Sequence, residues 1–129
     1  MNSSKGYSTE IVLGQASVRS VWNQIATDHG LSEWLAPNVK IIGDKIQVDW
    51  DGDGNHRTGR ILSRQEDMGI KWEWTDDPAS YFSMTIVKTE LSATTSLIVE
   101  DCDLSMEVEL LEDIWNYHTI RLKRCLGVD

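Results

Sequence analysis

A chain of 129 residues with 40% hydrophobic side chains is long enough to bury one ordinary core without disulfide or metal staples, so a single domain over residues 1–129 is expected. Twelve Lys and Arg stand against 21 Asp and Glu, a formal net charge of −9. That balance argues against a nucleic-acid partner and against an anionic membrane surface, since phosphate binding needs clustered cations. The opening MNSSKGYSTEIV lacks a signal-peptide pattern, and no apolar run approaches the roughly 20 residues that cross a bilayer, so a cytoplasmic protein with no membrane insertion is expected.

Residues 7–14 (YSTEIVLG) read as a first strand, ended by Gly14. Ser17 is a candidate N-cap for a short helix in which Val18, Val21, Trp22 and Ile25 recur at helical spacing. Thr27 or Asp28 can cap a second short helix with Leu31, Trp34 and Leu35 as its apolar stripe, ended at Pro37. After Pro37 the period changes to two. Candidate strands follow at 38–43, 45–51, 56–64, 68–75, 80–89 and 95–101. Turn signals separate them at Gly43-Asp44, at Asp51 to Gly54, at Asp67 to Gly69, at Asp76-Asp77-Pro78 and at Ser92 to Thr94. Connections this short favour an antiparallel meander, about seven strands with the first.

One of these turns imitates a metal site. DWDGDGNHR, residues 49–57, sets Asp49, Asp51 and Asp53 at alternate positions with Gly54 next, as in a calcium-binding loop. The position that should hold the closing bidentate Glu is Arg60, which removes two oxygens and repels the ion. Ile46, Val48 and Trp50 meanwhile alternate with Gln47, Asp49 and Asp51 in strand fashion, and Asp-Gly and Gly-Asn steps are hairpin chemistry. A solvated hairpin is expected, and no metal.

The chain closes with a helix over about 105–126, on which Val108, Leu111, Trp115, His118, Leu122 and Cys125 form one stripe. Asp103 or Ser105 is the expected cap and Gly127 the stop, with acidic residues early and Arg121, Lys123 and Arg124 late, the order that the helix dipole favours. The same considerations account for most of the acidic run from Glu100 to Asp113. Cys102 and Cys125 stand alone and read as small buried side chains.

Strand, two short helices, a six-strand meander and a long terminal helix is the element order of the helix-grip fold, an α+β architecture. The sequence resembles the START-like (SRPBCC, Bet v 1-like) superfamily, near its Hsp90 ATPase activator homologue branch. VWNQIATDHGLSEWLAP (21–37) is similar to the early helical pair of that branch, GRILSRQEDMGIKWEWTDDPASYFSMTI (59–86) to its central strands, and IWNYHTIRLKRCLG (114–127) to its terminal helix. The resemblance implies a curved seven-stranded antiparallel sheet gripping the last helix, with a space between them. In resembling families that space receives an apolar ligand.

Six Trp bear on that space, and Trp34, Trp50, Trp72, Trp74 and Trp115 sit on elements that could face it. Ile70, Trp72 and Trp74 share one strand face, and Phe82, Met84 and Ile86 another. Such rings either wall a pocket or fill it; both outcomes stay open here. Catalytic motifs are absent: there is no GxSxG, no HExxH and no glycine-rich phosphate loop. His29 and His56 belong to turns, whereas His118 falls on the apolar stripe and points into the grip, where it can orient a ligand or serve as an acid or base.

The reading that results is a non-enzymatic binder of a small hydrophobic molecule, without cofactor, with Trp34, Trp50, Trp74, Phe82, Trp115 and His118 as the ligand-binding set. The alternatives are a co-chaperone or protein-interaction module, with a chaperone or a second copy of the chain as partner, and a polyketide cyclase-like enzyme. Against the co-chaperone stands the lack of the separate N-terminal domain on which that branch's stimulation depends.

Overall fold

The structure is a computed structural model and describes residues 6–50, 56–103 and 106–129. Its elements are β1 (Tyr7–Val12), α1 (Val18–Ala26), α2 (Asp28–Trp34), β2 (Asn38–Ile42), β3 (Lys45–Asp49), β4 (Arg57–Gln65), β5 (Gly69–Trp74), β6 (Asp77–Thr89), β7 (Thr94–Cys102) and α3 (Val108–Leu126). The strands form one antiparallel sheet in the order β1-β7-β6-β5-β4-β3-β2. Apart from β1, which adds to the β7 edge, this is the expected meander. Register slips between Ile61 and Ser63 on β4, and between Glu73 and Trp74 on β5, supply the bulges that bend such a sheet.

The helical pair forms for the reasons its sequence carries. Ser17 Oγ accepts from the Ser20 amide at 3.0 Å and starts α1. Thr27 then does two jobs, accepting from the Gly30 amide at 2.9 Å to start α2 and donating to the Asn23 carbonyl at 2.7 Å to finish α1. Gly30 is required there, because a Cβ would run into the Asn23 carbonyl and lie 2.8 Å from Gln24 Cα. At the other end of the chain Gly127, at φ 69°, closes α3 in the left-handed conformation.

The core lies between the concave face of the sheet and the three helices. Alternation puts Ile70, Trp72 and Trp74 of β5, and Phe82 and Met84 of β6, on that face, all at most 2% exposed. From the helices, Val21, Ile25 and Leu31 are fully buried in the core, and α3 packs on α2 and β1, adding Trp115 and Leu122 to it. Ile86, expected to continue the Phe82 face, is half-buried.

Several expectations need correction. The turn at Asp76-Asp77-Pro78 is displaced: β6 begins at Asp77, and Pro78 is tolerated inside it because residues 78–80 fall in the bulge between the Trp74–Asp77 and Glu73–Tyr81 pairs. Asp103 does not occupy the cap of the last helix, and Ser105, the other expected cap, lies outside the described residues. That helix starts at Val108 with Glu107 at the cap position and no side-chain bond, while Asp103 is taken by Arg57 at 2.8 Å. The stripe of α3 is buried only in its middle, at Leu111, Trp115, His118 and Leu122; Val108 is 40% exposed and Cys125 lies open on the last turn. Cys102 is half-buried on the outer side of β7, where its Sγ covers Gly6, so neither cysteine is the core side chain expected. The expected hairpin tip at Asp51, Gly52, Asp53 and Gly54 lies outside the described residues. His29 and His56 are exposed.

Candidate functional site

The rings of the core do not fill the grip. Between α3 and the sheet lies a cavity of about 680 Å³, within the range of sites for drug-sized molecules. Its aromatic wall follows from strand and helix periodicity together. Trp74 ends β5 on the concave face, Phe82 stands on β6 opposite Trp72 and stacks on it at 4.7 Å, and Trp50 follows β3 and meets Trp74 edge to face at 6.5 Å. From α3, Leu111, Trp115 and His118 come in at helical spacing, with Trp115 5.5 Å from Phe82 and 5.1 Å from His118.

Of the six residues expected to form the site, five line the cavity: Trp50, Trp74, Phe82, Trp115 and His118. Trp34 does not. Fully buried at the end of α2, it stands behind the wall, 5.9 Å from Trp115 and 6.3 Å from His118, with its indole N–H donated to the Gln24 carbonyl at 2.9 Å. Trp72 is likewise core, supporting Phe82 from behind.

The cavity also has a polar end, which the sequence reading missed. On β7 the concave face runs Leu97, Val99, Asp101, and Asp103 beyond the strand continues the phase, so apolar residues give way to carboxylates at the mouth. Asp101 Oδ2 accepts from Trp115 Nε1 at 2.8 Å. Asp103 Oδ2 accepts from Arg57 Nη1 at 2.8 Å, and Arg57 also forks onto Asp76 at 3.1 to 3.2 Å while lying 4.6 Å over the Trp74 ring. The alternation of Leu97, Val99 and Asp101 was the available signal; in the string SLIVEDCD it is hidden by the strand ending there. Arg57 had no sequence signal, since its partners are 19 and 46 residues away.

The electrostatics follow from burial. Loss of water, helped by neighbouring Asp103, pushes the Asp101 carboxyl up to about 6, against the opposing pull of the Trp115 hydrogen bond and of Arg57. Burial, together with the Arg121 charge, brings His118 down to about 4, with a backbone hydrogen bond at Trp34 acting the other way. Burial also works against Arg57, but its bonds to Asp76 and Asp103 hold the guanidinium pKa above its ordinary value. At neutral pH the wall therefore presents an uncharged imidazole and a carboxylate that ionises with difficulty. Among the described residues no group of His, Cys, Asp and Glu is arranged to hold a metal, and no helix is long and apolar enough to cross a membrane.

A bent antiparallel sheet closed by a C-terminal helix over a cavity is the helix-grip architecture. The model of the START-like superfamily domain matches residues 1–128, and the chain belongs to that superfamily. The fold is similar to an Aha1 dimer from Colwellia psychrerythraea solved in solution, at TM-score 0.74 and 14% identity over 94% of this chain and 95% of that one. It is also similar to a Bacteroides fragilis protein, at TM-score 0.64 and 24% identity over 95% and 91% of the two chains. DynU16, from the dynemicin biosynthetic locus, matches at TM-score 0.77 and 18% identity over 97% of this chain and 48% of its own. No curated protein matches the sequence.

Proposed function

We propose that this chain is a non-enzymatic binding protein whose cavity under α3 takes a small hydrophobic molecule, and that residues 1–129 act as one unit in the cytoplasm. The observation that carries the reading is the persistence of about 680 Å³ of space beside five large rings that could have closed it. A half-open cleft of this size under an aromatic wall offers apolar surface and room for a ligand to cover it, the usual form of a small-molecule site. Trp50, Trp74, Phe82, Trp115 and His118 supply the contact surface, and Trp34 holds two of them in place.

Native mass spectrometry of the freshly purified protein tests this. A non-covalent adduct is expected, lost in a Leu111→Trp variant that fills the cavity and still unfolds cooperatively. A bare mass, with no shift in melting temperature across fatty acids, sterols and aromatic polyketides, would sink the reading.

A second reading, self-association, is favoured by Leu110, Tyr117 and Ile120, which leave α3 with exposed apolar surface at 50 to 59% accessibility. The Aha1 relative named above was solved as a dimer. Sedimentation at increasing concentration, with Leu110→Glu as the variant, separates monomer from dimer.

A further inference from the structure

The polar end of the cavity is unbalanced. Two guanidinium groups line the cavity. Arg57 is paired with Asp76 and Asp103, so its charge is already met by carboxylates, whereas Arg121 rests on neutral acceptors at the α2 side, the Glu33 carbonyl at 3.1 Å and the Tyr117 hydroxyl at 3.4 Å. Asp101 accepts from a neutral indole N–H and no cation among the described residues pairs with it directly, whereas Asp103 holds Arg57 and Asp113, the third carboxylate of the lining, is exposed on α3. It sits beside Phe82 in the β6–β7 register and against Trp115, so the carboxylate is framed by rings.

Aromatic faces attract cations, and the attraction grows where water is excluded. This wall already stabilises one positive charge, the Arg57 guanidinium 4.6 Å over Trp74. His118, 93% buried on the same wall, has an Nδ1 with no hydrogen-bond partner among the described residues. Kept neutral by its burial, it adds no competing charge to the wall. The overall charge of −9 adds a long-range field of the same sense.

We infer that the cavity selects amphipathic organic cations, a protonated amine on an apolar body, with Asp101 as the anionic anchor and Phe82 and Trp115 as the walls around the ammonium group. The inference rests on the ligand-binding reading above and narrows it to one ligand class. The apolar body lies along Leu35, Leu111 and Trp74, and the ammonium replaces the missing counter-charge of Asp101.

Calorimetric titration with decylamine, decanol and decanoate, kept below their aggregation concentrations, tests it on the whole chain. Decylamine is expected to bind at least about tenfold more tightly than decanol, and Asp101→Asn to erase that advantage. Decanol binding as tightly as decylamine, decanoate binding tightest, or an amine preference that survives Asp101→Asn would each overturn the inference while leaving a hydrophobic site standing. Binding by none of the three would remove both. Should Asp101→Asn fail to fold, the ranking of the three ligands on the unaltered protein decides by itself.

Discussion

Trp34 and Trp50 separate the two regions of this molecule. At the helical-pair end, Trp34 is fully buried, hydrogen-bonded through its indole to the Gln24 carbonyl and backed against Trp115 and His118. At the cavity end, Trp50 is 38% exposed, meets Trp74 edge to face and His118 at a 33° tilt, and lines the cavity. One region spends its aromatic surface on packing, the other on a wall. The difference teaches that the same residue type stabilises the fold or shapes a site according to what stands behind it.

Substitutions should break this comparison in a definite order. Trp34→Ala is expected to cost about 4 kcal/mol in urea unfolding, since it opens a cavity and leaves the Gln24 carbonyl without its donor. A cost below about 1 kcal/mol would mean that this end is as loose as the other. Gly30→Ala follows at about 2–3 kcal/mol, because the new methyl meets backbone of α1 that cannot swing aside.

At the cavity end the response to pH is the sharper probe. Asp101 is lifted from 3.8 to about 6 in the fold, so between those values the native state holds a proton that the unfolded chain releases, and stability falls as pH rises. His118 runs the other way. Lowered from 6.5 to about 4, it lets the unfolded chain hold the extra proton, so stability rises with pH over that window. In the unaltered protein the two oppose each other. Asp101→Asn should therefore raise stability by about 2 kcal/mol at pH 7 and change little at pH 4, unmasking the His118 rise between them. An equal effect at both pH values would show that the carboxylate is well solvated after all. Smallest of all is Trp50→Ala, expected to change unfolding free energy by under about 1 kcal/mol while weakening any ligand.

Much of this was legible in the chain, for physical reasons. The helical pair announced itself through Ser17, Thr27 and Pro37, and the hairpin at Gly43 through a residue able to take φ 61°. Alternation placed Trp72, Trp74 and Phe82 on the concave face correctly. Legibility failed where a contact joins distant segments. Nothing local distinguishes Trp34 from Trp50, as both follow an apolar pattern and only the third dimension decides which one has a neighbour behind it. Asp103 read as a helix cap because capping is a local habit of Asp, yet a guanidinium 46 residues away outcompeted the backbone for it. Cys125 followed the helical stripe, but it is exposed, with its Sγ 3.8 Å from the Glu33 carbonyl of α2, while Leu126 packs on the core from the same turn.

The run Leu97, Val99, Asp101 has a consequence for how such proteins diverge. The register that carries a carboxylate into the cavity is the register that carries leucine and valine into the core, so no change of backbone separates a polar mouth from a sealed interior. Exchange of Asp101 for an aliphatic residue would turn the polar end of this chamber apolar and remove the cost of burying a carboxyl. On this architecture a lineage that stops needing a ligand can lose it by a short and thermodynamically downhill path, which is one route by which a single fold comes to serve many unrelated purposes.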